Sequence, residues 1–375
     1  MAGVYIHVPF CITKCPYCDF YSMVGTRQID GFVTALCREI ELRAYELEGE
    51  VVETIYFGGG TPSLLDGWQV QLILHTLAEH LTVSDSPEVT LECNPGDLSL
   101  LHLRQCLDAG VNRFSIGAQS FDPQVLKFLK RRHAPSETSD MYYTLRQLGS
   151  TNISLDLMYG IPGTNLGTVL GDLDQLLTLR PEHISTYHLI YEEGTPLYHQ
   201  LKMKEIEEIP EELSLEMYHL IVKTLTDAGY EHYEISNFAL PSYHSKHNSS
   251  YWYGTPYLGL GPSAHSYIHP WRSSNIASVK TYNDSLFQGA RFLNRSYEYI
   301  TPEIAYEEYI LTHLRTSKGI SEKEIEKLFG KGKVQELQPK VGDYIHRQLL
   351  TKEGTRYRLT EQGIDLSDSI MADLI

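Results

Sequence analysis

Three cysteines stand within eight residues, in the run Cys11-Ile-Thr-Lys-Cys15-Pro-Tyr-Cys18. Spacings of four and three would line the sulfurs up on one face of a helix, as in an ordinary buried helical face. Pro16 opposes that arrangement, because an interior proline removes a backbone donor and clashes with the preceding turn. The segment is therefore expected to be a loop wrapped around an inorganic core. A complete [4Fe–4S] site takes four cysteine ligands, and a structural zinc site also needs a fourth ligand, for which His7 is a candidate. Three thiolates alone suit a cubane cluster with one iron left open to chelate an amino and a carboxylate group. Cys37, Cys93 and Cys106 lack close cysteine neighbours. A secreted disulfide framework is not expected in a chain of 375 residues without an export signal.

The elements that must position this loop alternate short β-rich runs with stretches of helical apolar spacing. Candidate strands are Val4–Val8, Thr54–Phe57, Glu88–Glu92, Arg113–Ile116, Ile153–Met158 and His183–Ile190. Helical spacing recurs between them, as in Phe32–Leu47, Gln69–Leu81 and Leu98–Leu107. Such β/α units imply a parallel sheet, either doubly wound or barrel-like. The cysteine loop follows the first strand, Gly58–Gly60 the second, and Glu92 ends the third. Gln119 follows the fourth and Asp156 lies in the fifth. Polar groups gathered at the C-terminal ends of consecutive strands favour the barrel, in partial form.

Further along, residues 236–299 are expected to be an irregular connecting segment rich in His and Tyr, after a barrel spanning 1–235. It contains His247-Asn-Ser-Ser-Tyr251-Trp252. A loop histidine is ordinarily a surface or hydrogen-bonded residue, yet a neutral imidazole is also a good axial ligand for heme iron, and Tyr251 and Trp252 offer aromatic faces to a porphyrin. His244, His265 and His269 are neighbouring alternatives. Residues 300–375 form a separate module, with helices over Pro302–Leu314, Ser321–Phe329 and Val341–Leu350. Ser321 and Glu324 make a capping box, and a hairpin over Leu350–Leu359 turns at Gly354. Helices followed by a hairpin suggest a winged-helix-like domain.

The Cys-x3-Cys-x2-Cys run with an aromatic before its last cysteine resembles the signature of the radical S-adenosylmethionine (SAM) superfamily. Tyr5-Ile-His-Val-Pro-Phe-Cys11 and Phe57-Gly-Gly-Gly-Thr-Pro-Ser63 are similar to the branch containing the oxygen-independent coproporphyrinogen III oxidases and related heme chaperones. That resemblance runs through most of the chain. It implies an α/β fold, a partial (β/α)6 barrel with a small winged-helix-like C-terminal domain, and a [4Fe–4S] cluster on Cys11, Cys15 and Cys18. It further implies that Tyr5, Gly59 and Glu92 contact the cluster-bound SAM. Tyr17, Gly60, Thr61, Gln119, Arg131 and Asp156 match positions that hold a second SAM in the oxidases, with Arg132 adjacent to the matched arginine. On residues alone, Gly58–Gly60 is an ordinary tight turn or a close backbone approach to a ligand, and it lacks the Gly-Lys-Ser/Thr ending of a phosphate loop. Glu92 and Asp156 are equally readable as strand-end carboxylates. His247-Asn-x-x-Tyr-Trp resembles the heme-associated motif of the chaperones.

The oxidases carry a substantial extension before the first barrel strand, whereas Cys11 comes almost at once here. The expected function is therefore heme binding and transfer to acceptor apoproteins, with SAM-dependent oxidative decarboxylation of coproporphyrinogen III as the alternative. Catalytic residues are not assigned. A net charge of −17 opposes nucleic-acid binding. Residues 301–375 carry 11 Lys or Arg against 13 Asp or Glu, so scaffolding suits the winged module better than DNA binding. No run approaches the ~18–20 apolar residues of a membrane span, and a cytoplasmic address is expected. Homodimerisation and transient membrane association are left open.

Overall fold

The computed structural model describes residues 1–287 and 295–375. Six parallel strands are formed by β1 (Ala2–Val8), β2 (Val52–Gly59), β3 (Val83–Cys93), β4 (Arg113–Gln119), β5 (Ile153–Tyr159) and β6 (His183–His188). They lie side by side in chain order. A doubly wound sheet would reverse its order at a switch point, so this monotonic order selects the barrel.

Alternation along each strand divides the residues between two faces. Val4, Ile6, Ile55, Phe57, Leu91, Phe114, Ile116, Leu155 and Ile184 are buried in the main apolar core. They share it with Phe32, Leu36 and Ile40 of α1 (Ile29–Arg43), Val70 and Ile73 of α2 (Gly67–His80), Leu103 of α3 (Leu100–Ala109), Leu145 of α4 (Pro135–Gln147) and Leu173 of α5 (Leu166–Leu179). The other face is polar. The register sets Tyr5 beside Tyr56, Thr90 beside Arg113, Glu92 beside Ser115 and Asp156 beside Ser185. A barrel lined this way keeps its interior for ligands and hydrogen bonds, not for a filled apolar core.

The segment expected to be irregular is mostly regular; residues 288–294 of it lie outside the described residues. After helix α6 (Glu211–Asp227), β7 (Glu231–Glu234) and β8 (Asn237–Ala239) pair antiparallel beyond β6. On the other edge, β9 (Tyr257–Leu260) adds parallel to β1, followed by antiparallel β10 (His265–Ile268), β11 (Trp271–Asn275) and β12 (Arg295–Tyr299). Between the two additions, α7 (Lys246–Trp252) lies against the starts of β1 and β2; between β11 and β12, α8 (Val279–Phe287) lies against α1. A buried charge network holds the extension in place. Arg43 meets Glu39 at 2.7 Å and the Gly259 carbonyl at 2.7 Å, while Glu39 also accepts from Tyr282 at 2.6 Å and from Asn275 Nδ2 at 2.7 Å. With its remaining oxygen bonds filled, such a pair offsets its desolvation. Tyr- and His-rich composition concealed these strands; Tyr257, Tyr267, Arg272 and Tyr299 among them line a cavity and not the apolar core.

The C-terminal module has its own core of Tyr306, Ile310, Leu314, Ile325, Leu337, Val341, Ile370 and Leu374. Helix α9 (Pro302–Leu314) and the hairpin of β14 (Leu350–Glu353) and β15 (Arg356–Leu359) match expectation, and β13 (Ile320–Ser321) completes a three-stranded wing. The third helix is α11 (Lys331–His346), earlier and longer than Val341–Leu350, because the chain carries Pro339 inside a helix. A terminal helix α12 (Ser367–Leu374) closes the core. Of the capping box at α10 (Glu322–Phe329), one half forms. Ser321 accepts from the Glu324 backbone, but the Glu324 carboxylate is taken by Tyr309 and Arg356. Ser321→Ala is expected to lower stability by about 1 kcal/mol, seen as faster amide exchange confined to residues 300–375.

Candidate functional site at the barrel mouth

The chain leaves β1 through the two-residue strand Phe10–Cys11, which pairs with Met23–Val24 and so returns the cysteine loop to the rim. Cys18 N–H donates to the Cys15 carbonyl at 3.3 Å, and Lys14 Nζ donates to the Phe20 carbonyl at 3.0 Å. Cys11 is buried, while Cys15 and Cys18 are half-buried. Burial pushes the Cys18 thiol up to about 11, so an uncoordinated sulfur here stays protonated. His7 is engaged at both ring nitrogens, with Tyr5 Oη at 3.1 Å and the Tyr21 carbonyl at 2.8 Å, which disfavours it as a fourth metal ligand.

The structure brings Thr61, Gln119 and Arg131 around this loop. Thr61 Oγ1 reaches Cys11 Sγ at 3.6 Å and accepts from Asn94 at 3.1 Å. Arg131 Nη1 reaches Cys15 Sγ at 3.8 Å, and its Nη2 donates to Asn94 at 2.7 Å and the Gly117 carbonyl at 2.8 Å. Gln119 stands beside Arg131 over Gly117 and has a positive φ of 65°. Of the two adjacent arginines, Arg131 faces the loop, whereas Arg132 is exposed and paired with Asp97. Tyr17 is half-buried beside the apolar group of Val125, Leu129 and Leu197, and burial raises its hydroxyl.

Gly59 and Gly60 have steric reasons to be glycine. Gly59 has φ +104°, and a Cβ there would lie 2.6 Å from the His7 ring; at Gly60 it would lie 2.6 Å from the Phe10 carbonyl. Behind them Glu92 accepts from Tyr56 at 2.7 Å, and Tyr5 stacks on Tyr56 with centroids 6.2 Å apart. Burial pushes Glu92 up to about 7, and it pushes Asp156 up to about 6 although Arg113 opposes the shift. Ser115 donates to Asp156 at 3.3 Å.

Arg113 and Asn94 were missed from sequence. Arg113 is buried inside the barrel, with Nε and Nη1 unpartnered among the described residues. Strand alternation could have found it, since it shares a face with Ser115. Asn94 bridges Thr61 and Arg131 from a loop, where no periodic signal exists.

His247 is not where a loop ligand would be. It is fully buried in α7 at the opposite end of the barrel from the cysteines, with Nδ1 on Thr54 Oγ1 at 2.8 Å and Nε2 on Tyr251 Oη at 2.8 Å. Its ring stacks on Tyr56 at 5.0 Å, and the Glu88 carboxylate accepts from its backbone N–H at 3.0 Å. With both nitrogens used, His247 here serves as a buried tie between β2 and α7. Trp252 packs edge-on against Tyr233, and His244 stacks on Tyr233 and binds Glu231. His265 and His269 are exposed.

The three-thiol loop, the glycine cradle and an Arg131 Nε that is unpartnered among the described residues fit an iron–sulfur core with a carboxylate-bearing cofactor beside it. Among the described residues, no three His, Cys, Asp or Glu side chains are gathered at metal-ligating distance.

A partial barrel of parallel strands with a three-cysteine loop after its first strand is the architecture of radical SAM proteins. The family model of the radical SAM superfamily matches residues 5–176, and that of the HemN C-terminal domain matches residues 300–366. The solved coproporphyrinogen III oxidase HemN of Escherichia coli superposes with a TM-score of 0.84, covering 100% of this chain and 90% of that one at 22% identity. The protein named heme chaperone HemW of Bacillus subtilis is 34% identical over 99% of this chain and 98% of its own length. The Lactococcus lactis and Escherichia coli proteins of that name are 33% and 32% identical, over 98% and 96% of this chain and 96% and 94% of theirs. The chain belongs to the radical SAM superfamily and, within it, to the family of the HemW heme chaperones. The superfamily implies a [4Fe–4S] cluster and SAM. Among the described residues, no helix is long and apolar enough to cross a membrane.

Proposed function

We propose that this protein is a heme chaperone: it binds heme and passes it to heme-accepting apoproteins, with a SAM-ligated [4Fe–4S] cluster at the barrel mouth. The observation that carries this reading is the 32–34% identity to proteins named heme chaperones along nearly the whole chain. The oxidase shares the fold at 22% identity, which supports no transfer of its decarboxylation.

Cys11, Cys15 and Cys18 would hold the cluster, and Tyr5, Gly59 and Glu92 would meet the SAM on its open iron. Tyr17, Gly60, Thr61, Gln119, Arg131 and Asp156 would line a second SAM position on the same rim. When bound, such a cluster supplies a one-electron reductant beside the sulfonium. The chain's own part is to orient the ligand: Arg131 places a fixed cation at the loop, and Gly59 and Gly60 allow backbone contact. Glu92, with its carboxyl shifted to about 7, can meet a ligand amine as either acceptor or donor.

The test loads the anaerobically reconstituted protein with hemin and mixes it with a heme-free acceptor protein, following the Soret band of each. A parallel reaction supplies coproporphyrinogen III, SAM and a reductant. Stoichiometric heme transfer without decarboxylated product is expected. Catalytic product formation without heme binding would establish the oxidase instead.

A further inference from the structure

Where the sheet extension meets the C-terminal module there is a cavity of about 960 Å3, away from the cysteine loop. That is at the upper end of the range of roughly 300–1,000 Å3 for small-molecule and cofactor sites. Tyr253, at the C-terminal end of α7, lines it with Tyr257 and Tyr267 of β9 and β10, and Tyr309 and Phe329 line it from α9 and α10. Tyr251 also reaches it, and Tyr251 is the hydroxyl held by His247. The helix carrying the His247 motif therefore builds a wall of this cavity.

His313 stands in that lining, its ring 3.9 Å from Tyr309 and 5.6 Å from Tyr253 by centroid. The hydrogen-bond network fixes its tautomer. Thr312 donates its hydroxyl proton to the Glu308 carbonyl at 2.7 Å, so in its 3.2 Å contact with His313 Nδ1 the imidazole must be the donor. Nε2 then keeps its lone pair, and no hydrogen bond to Nε2 is made among the described residues. An imidazole with Nδ1 held and Nε2 free is the form that ligates a metal.

The cations at the cavity are not equivalent. Arg272 is paired with Glu298 and Glu308, and Arg356 with Glu324. Lys318 lies over the Tyr253 ring at 4.1 Å and has no carboxylate partner among the described residues. Aromatic walls, one imidazole with a free lone pair and one uncommitted ammonium are the complement of a flat metalloporphyrin bearing carboxylates.

We infer that this cavity is the heme site, with His313 Nε2 as an iron ligand and Lys318 facing a propionate. The inference rests on the heme-chaperone reading. Its test is a hemin titration of the full-length protein and of His313→Ala, Ala305→Trp and Lys318→Glu, with iron–sulfur content and melting measured for each. Ala305 lines the cavity, so tryptophan there fills it, while exposed Lys318 changes without disturbing the core. The expected result is a changed Soret band and at least about tenfold weaker binding for His313→Ala, with about tenfold weaker binding for Lys318→Glu. Ala305→Trp should abolish binding, and the cluster should persist in all three. If wild type binds heme and the three variants match its affinity and spectrum, the site is overturned while the chaperone reading stands. If wild type binds no heme, both fall.

Discussion

Replacing Cys11, Cys15 and Cys18 together by alanine is expected to abolish the [4Fe–4S] absorption of the anaerobically reconstituted protein, with bound iron and sulfide falling to background. The same replacement of Cys37, Cys93 and Cys106 should leave the cluster at wild-type content. Of the three dispensable thiols, Cys37 and Cys106 lie on helices outside the barrel and Cys93 ends β3. Cys93 and Cys106 are buried in the main apolar core, and Cys37 of α1 accepts from Thr76 of α2. Burial also pushes Cys106 up to about 12, which keeps it an inert thiol. The loop cysteines face Thr61 and Arg131 at the barrel rim. Because the loop is tethered by short backbone bonds and not packed as core, the triple variant should fold. A normal cluster in that variant would sink the ligand assignment.

The second large effect falls on stability. His247→Ala leaves the Thr54 hydroxyl and the Tyr251 hydroxyl without their imidazole partner and removes a ring stacked on Tyr56. Unsatisfied buried groups at about 1–3 kcal/mol each, plus the void, put the loss near 3–5 kcal/mol by denaturant unfolding. There is a pH signature as well. Burial holds the folded His247 at about 3, against an ordinary 6.5. Above pH 6.5 both states are neutral and its contribution is complete. As pH falls from 6.5 towards 3, the unfolded chain takes up a proton that the folded chain refuses, and stability drops by about 1.4 kcal/mol per pH unit. In His247→Gln that part of the acid slope should vanish, isolating it from the other buried histidines. Heme bound by the folded variant should keep the wild-type spectrum if His313 is the ligand. An altered spectrum with unchanged stability and slope would restore His247 as the iron ligand.

Local covalent pattern carried much of this protein. Pro16 between close cysteines opposes a helix at the loop, and short β-rich runs between stretches of helical spacing mark six strands whose ends hold the glycines and Glu92. These are short-range facts, decided by residue sterics and side-chain direction. The C-terminal wing was legible for the same reason, through the cap at Ser321 and the turn at Gly354. Tertiary structure decided what depends on partners distant in sequence. Glu39 and Arg43 look like an ordinary i,i+4 pair on a helix, and only the arrival of Gly259, Asn275 and Tyr282 makes them the buried clamp of the sheet extension. His247 shows the same limit. Its motif marked a heme-associated segment, but an imidazole's role is set by what meets its two nitrogens, and those partners, Thr54 and Tyr251, are supplied by a β-strand and by the next turn of its own helix. The cavity holding His313 is built by α7, the sheet extension and the wing together, so no periodicity within any one of them announces it.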